Sequence, residues 1–180
     1  MAPDAHPGTF DDFLARLAAR SPTPAGGSVA ALSAAQAAAL VAMVARYCDD
    51  DELVGRAEEL VATAQRLAAD DEAAFGAVAA AWRLPRDDER RRMAIDAALL
   101  EAAEPQARVV EVAVEVLVLV DQLKPAARPG IAADLVAAAE VARAASAIAR
   151  MNVTSNLRTV ADSDDRSDLL RRIGVAGKDR

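Results

Sequence analysis

The sequence is short of aromatic side chains, histidine and cysteine. Three phenylalanines, one tyrosine and one tryptophan make up only 3% of the 180 residues. Aromatic and β-branched residues are what a pleated, half-buried surface accommodates best, so their scarcity argues against sandwiches and barrels. A single cysteine, Cys48, excludes an intrachain disulfide and any multi-cysteine metal site. A single histidine, His6, lies near the start of the chain, which argues against a histidine-based triad or metal centre. No metal site is expected. Positive charge is also in deficit: 21 Lys and Arg against 28 Asp and Glu give a net charge of −7. An acidic domain is a poor partner for nucleic acid or an anionic membrane surface. No basic segment precedes an apolar run, and the longest apolar stretches, such as Ala37 to Ala45, are too short to cross a bilayer. The expectation is a cytoplasmic protein with neither nucleic acid nor membrane as partner.

Alanine is what the sequence has in excess, at 47 of 180 positions. It is the best helix former and a poor strand former. With 53% hydrophobic and 27% charged residues, the chain buries a core rather than staying disordered. The length suits one domain, so residues 1–180 are read as a single unit with loose termini at 1–8 and 174–180. Thr9 caps a short helix with Asp11 and Asp12 in its first turn and Phe10, Phe13, Leu14 and Leu17 on one face. The segment from Ser21 to Ser28, with Pro22, Pro24, Gly26 and Gly27, is the sharpest break in the chain. Its prolines forbid helix and its glycines free the backbone. From Ser28 to about Tyr47 the residues are small and apolar on every side, which predicts a central helix buried on every side.

A further helix is expected from Asp49–Glu52 to about Trp82, ended by Leu84-Pro85-Arg86. The next starts near Asp87, and Pro105 predicts a kink or a fresh start inside it. Alternating valines from Val110 to Val120 have the period of a strand, but the run's length and helical surroundings favour a buried helix. A turn over Lys124–Gly130 precedes the last long helix, about Ile131 to Val160, with a short one over Ser163–Ile173. The fold class is all-α, a bundle of about five long helices around an alanine-rich central one.

Candidate chemistry is spread thinly. Gly26 and Gly27 stand where backbone N–H groups at a helix start attract an anion or an electron-rich oxygen, although a stiff turn capped by Ser28 has the same sequence. Asp71, flanked by Asp70 and Glu72, is either a solvated acid or a site residue. Asp134 sits in an apolar run, as a first-turn dipole partner or a pocket carboxylate. Asn152 and Asn156, four apart, share a helix face and form either an inter-helix amide pair or a ligand contact. Arg46 and Arg86 could each meet an anion or stay on the surface.

Together these pieces resemble the cyclodeaminase/cyclohydrolase family, the folate domain found as the C-terminal half of formiminotransferase-cyclodeaminase and as stand-alone methenyltetrahydrofolate cyclohydrolases. The likeness rests on the segment from Ser21 through Pro24, Ala25, Gly26, Gly27 and Ser28 to Leu32, with Met43-Val44-Ala45, Asp71 to Phe75, Leu84-Pro85-Arg86, Asp134-Leu135, Asn152 to Leu157, and Asp162. It runs over roughly residues 10–165. Ala25 stands in place of the loop's first glycine, Arg86 in place of the usual lysine, Cys48 in place of a common threonine, and Ala133 where a serine often precedes the aspartate.

The resemblance implies a helical homodimer with its folate site near the subunit interface, and no cofactor beyond a tetrahydrofolate derivative as substrate. It implies hydrolysis of 5,10-methenyltetrahydrofolate to 10-formyltetrahydrofolate. The alternatives are cyclodeamination of formiminotetrahydrofolate with release of ammonia, or a non-catalytic folate-binding helical dimer. The absence of a fused transferase leans toward hydrolysis. Asp71 and Asp134 are the catalytic candidates in this reading. Pro24, Gly26, Gly27, Ser28, Arg46, Phe75, Arg86, Asn152 and Asn156 are the binding candidates: amides and a carboxylate for the pterin edge, an arginine for the anionic glutamate tail.

Overall fold

The computed structural model describes residues 9–175. Among the described residues six helices form and no strands: α1 (Phe10–Ala18), α2 (Gly26–Tyr47), α3 (Asp51–Trp82), α4 (Arg91–Leu123), α5 (Pro129–Leu157) and α6 (Asp164–Arg172). Four are long, one fewer than the sequence suggested. The difference lies at Pro105, which is buried inside an unbroken α4 instead of starting a new helix. Proline removes one helical N–H and crowds the preceding turn, and here the packed neighbours of α4 hold the helix through it. The valine-rich run is helix throughout, with Val110, Val112, Val116 and Val120 buried.

The helix α2 is the centre of the bundle, in contact with α3, α4 and α5. Ala30, Ala31, Ala34, Ala37 and Ala38 are wholly buried, and their short side chains let the neighbouring backbones approach. By length and composition alone α2 is apolar enough to cross a membrane, which the shorter stretch read from the sequence was not. In the fold it is the enclosed core helix. Around it Leu119, Leu123, Leu157 and Val41 supply the bulk that alanine lacks. Ala38→Leu is expected to lower stability by about 1–3 kcal/mol through overpacking, measured as a shifted urea midpoint.

The ends of the elements follow local rules. Thr9 caps α1 in a capping box with Asp12, and Ser163 caps α6 by accepting from the Arg166 N–H. At the far end, residues 1–8 and 176–180 of the expected loose termini lie outside the described residues, as does His6. Gly174 and Val175 are not loose. Gly174 takes φ +70°, and the Val175 N–H donates to the Leu170 carbonyl at 2.9 Å, closing α6 with a left-handed cap that favours glycine. Arg172 ties α6 to α4 through Glu104 at 2.7 Å and Glu111 at 2.8 Å. Among the described residues α1 stands apart from the other helices. It is joined to α3 by the Arg16–Glu72 ion pair at 2.6 Å, while Phe10 and Leu14 stay exposed.

Candidate active site

A cavity of about 530 Å³ opens where the N-terminus of α2 meets the C-terminal part of α3, the N-terminal half of α4 and the C-terminal end of α5. Each helix gives it one stripe at helical spacing. From α3 come Asp71, Phe75, Val78 and Trp82. From α4 come Ile95, Leu99, Ala102 and Gln106, and from α5 Asn152, Ser155 and Asn156, with Arg158 and Thr159 just past its end. Pro22, Thr23, Ala25, Gly26 and Gly27 form the remaining wall. Phe75 and Trp82 meet edge to face, with ring centroids 6.1 Å apart. The cavity is thus apolar and aromatic toward one side and amide-lined toward the other.

Asp71 lies where the two sides meet. The α2 helix starts at Gly26, two residues before Ser28, and its N-cap residue Ala25 has no side chain that could cap it. Asp71 reaches across from α3 to that exposed end instead. Its Oδ1 accepts from Gln106 Nε2 at 2.8 Å, and its Oδ2 accepts from Ser28 Oγ at 3.4 Å. The Ser28 backbone N–H also bonds to it. Burial pushes the carboxyl above the ordinary carboxylate range; the bonds from Gln106 and Ser28 hold it down in part, and the neighbouring charge of Glu72 pushes it further up.

Gly27 is required by this arrangement. A Cβ built there would stand 2.2 Å from Asp71 Oδ1, whereas one at Gly26 would meet nothing closer than 3.8 Å. The second glycine of the loop is therefore the carboxylate's contact surface. Gln106 passes the network on, with its Oε1 accepting from Asn152 Nδ2 at 3.4 Å.

The structure brings together Asp71, Gly26, Gly27, Phe75, Asn152 and Asn156 at the cavity, with Ser28 buried just behind. Pro24 is also buried, next to the wall residues Thr23 and Ala25 and not itself part of the lining. Three expected residues are elsewhere in the chain. Asp134 is 18 positions before Asn152 on α5, about 27 Å along the axis at ~1.5 Å per residue, and does not line the cavity. Asp71 and Asp134 therefore do not meet within one chain. Arg46 is near the far end of α2 and pairs with Glu58. Arg86 is exposed in the α3–α4 connection, outside the cavity. The cation that does line the cavity is Arg158, at the C-cap of α5. Sequence reasoning missed it, along with Gln106 and Trp82. Residue spacing held a signal for two of them: Gln106 lies eleven after Ile95 and Trp82 eleven after Asp71, three helical turns along the same stripe.

A family model for formiminotransferase-cyclodeaminase matches residues 9–174, nearly the whole chain. The chain belongs to the formiminotransferase-cyclodeaminase family. Its fold resembles the crystal structure of formiminotetrahydrofolate cyclodeaminase from Thermotoga maritima, with a TM-score of 0.85 and 26% identity over 93% of this chain and 87% of that one. A methenyltetrahydrofolate cyclohydrolase of Methylorubrum extorquens is 36% identical over 105 residues. That match takes in 52% of this chain and spans half the length of the curated relative. For this member of the formiminotransferase-cyclodeaminase family, the matched span begins at the cap of α1 and ends at the Gly174 turn. It therefore contains the whole cavity.

Proposed function

We propose that this family member hydrolyses 5,10-methenyltetrahydrofolate to 10-formyltetrahydrofolate in the cavity at the head of α2. The observation that carries the reading is Asp71. It is the carboxylate among the lining residues, and it is desolvated, held by neutral donors and, among the described residues, paired with no cation. A delocalised cation of the amidinium type suits that setting, because it neutralises a carboxylate that burial disfavours while its rings lie against Phe75 and Trp82.

In this reaction Asp71 takes a proton from water as the water oxygen bonds to the amidinium carbon. The neutral adduct then collapses. The C–N5 bond breaks, N5 receives a proton from the Asp71 carboxyl, and the adduct's hydroxyl gives up its own proton as it becomes the formyl carbonyl. One proton leaves overall. General base catalysis of this kind contributes typically about 10²–10⁴-fold. Asn152 and Asn156 supply hydrogen-bonding edges for the pterin, and Arg158 faces its anionic tail.

Hydrolysis is preferred to cyclodeamination because the relative with the higher identity carries the cyclohydrolase name. Loss of the near-ultraviolet absorbance of 5,10-methenyltetrahydrofolate is the test, run beside 5-formiminotetrahydrofolate with ammonia as readout. Turnover of the second substrate alone would make the protein a cyclodeaminase, and binding without turnover of either would make it a folate carrier. Arg158→Ala is expected to raise KM about 10- to 100-fold with kcat little changed, the effect of one charged hydrogen bond lost from binding. Steady-state kinetics with the glutamate-bearing substrate reads this directly.

The proposed assembly is a homodimer. The unpacked α1 face with Phe10 and Leu14, and exposed Val114 and Val118 on α4, are apolar surface that a second copy would cover. Sedimentation at micromolar concentration separates dimer from monomer.

A further inference from the structure

We infer that Gln106 is a positioning residue for this reaction, holding the Asp71 carboxylate in its reactive orientation and fixing which atoms the amide wall presents to a ligand. The inference rests on the reading of the cavity given above. Gln106 is 1% exposed and follows a buried proline in the middle of α4. A buried primary amide is costly unless both of its ends are bonded. Both are, and to two other residues of the cavity wall: Asp71 at 2.8 Å and Asn152 at 3.4 Å.

The direction of those bonds follows from chemistry. An ionised carboxylate only accepts, so Gln106 must turn its Nε2 toward Asp71. Its Oε1 then points the other way and only accepts, so Asn152 must turn its Nδ2 inward. That leaves Asn152 Oδ1 as the free acceptor of a residue that lines the cavity. Asp71 Oδ1 is occupied by the 2.8 Å bond, so a proton drawn from water arrives on Oδ2, whose other neighbour, Ser28 Oγ, is a looser 3.4 Å away. With Gln106 in place, the wall offers two acceptors, Asp71 Oδ2 and Asn152 Oδ1. A pterin N–H donor matches Asn152 Oδ1, while Asp71 Oδ2 stays open to the reacting water.

Among the described residues, the charged surroundings of Asp71 are few. Glu72 on its own helix acts on it and is itself paired with Arg16 of α1. Arg158 of α5 lines the same cavity. The α2 and α4 faces turn Ser28 and Gln106 toward it, neither of which titrates. Removing the Gln106 donor therefore moves the Asp71 titration upward, since that bond opposes the effect of burial.

Two variants test this. Gln106→Leu deletes the donor, and Gln106→Glu puts a second carboxyl in its place. Carbon-13 NMR of protein labelled at the aspartate γ-carbon reads the Asp71 midpoint without any need for turnover, with Asp71→Asn assigning the signal. The midpoint is expected to rise in both variants, and the acid limb of kcat/KM for 5,10-methenyltetrahydrofolate to rise with it. At neutral pH kcat should fall about 10- to 100-fold in Gln106→Leu. Circular dichroism confirms that each variant is folded, and if Gln106→Leu is not, Gln106→Glu carries the same readout. An unmoved Asp71 midpoint and pH profile in a folded variant overturns the positioning role while the wild-type activity still stands. Wild-type protein inactive on both folates, with the midpoint still shifting, instead refutes the proposed reaction and supports the hold of Gln106 on Asp71.

Discussion

Asp71→Asn is expected to lower turnover of 5,10-methenyltetrahydrofolate by about 10²–10⁴-fold, the loss associated with removing a general base. The same variant should melt no lower than wild type at pH 7. The carboxyl's folded midpoint lies above its unfolded one, because burial disfavours the charge more than Gln106 and Ser28 favour it. Such a group gives its full stability below the unfolded midpoint and loses it as pH rises through the folded one. Above that folded midpoint the ionised Asp71 is therefore a net burden on the fold. Asparagine removes the charge and keeps an oxygen for Gln106. Loss of activity without loss of stability is the signature of a group retained for chemistry, and thermal melts beside single-turnover kinetics would show it. A clear fall in Tm with turnover near wild type would assign Asp71 to helix capping alone. The wild-type rate should also decline with falling pH through a midpoint above the ordinary carboxylate range, because the base must be ionised.

The second large effect is expected at Gly27. Alanine there would set a methyl carbon 2.2 Å from one Asp71 oxygen and 2.3 Å from the other. Atoms that close must separate, and the carboxylate is more free to move than the first turn of the buried central helix. Asp71 would swing away from Ser28 and Gln106 together. Gly27→Ala should therefore lose turnover to about the same extent as Asp71→Asn and also lose about 1–3 kcal/mol of stability as overpacking. Gly26→Ala is the matched control, because its added carbon would meet only the Asn152 amide at an ordinary 3.8 Å. Its urea midpoint should stay close to wild type. Equal destabilisation by the two alanines would mean that the loop needs glycine for its path rather than for the contact with Asp71.

Local pattern carried much of the fold. An alanine-rich run without a polar face has no stable place except between other helices, and α2 lies between α3, α4 and α5. Thr9 and Ser163 cap helices through short-range bonds that need no tertiary partner. Pro105 starts no new helix, because the cost of a helical proline is local, whereas the packing that offsets it comes from residues far away in sequence. Nothing local separated Asp71 from Asp70 and Glu72 as the acid that turns inward, although the family likeness pointed to that position. The helix phase relative to α2 makes that choice in the structure.

Sequence by itself determined the all-helical class, the buried central helix and the glycine-opened start where a ligand could approach, because periodicity, propensity and backbone freedom are properties of neighbouring residues. Tertiary structure alone decided that Gln106 and Arg158 join Asp71 and that, within one chain, Asp134, Arg46 and Arg86 do not. A cavity is formed by residues that are close in space, and one turn of phase or the length of a helix, about 30 Å for α2 at ~1.5 Å per residue, separates a side chain that faces it from one of the same chain that does not.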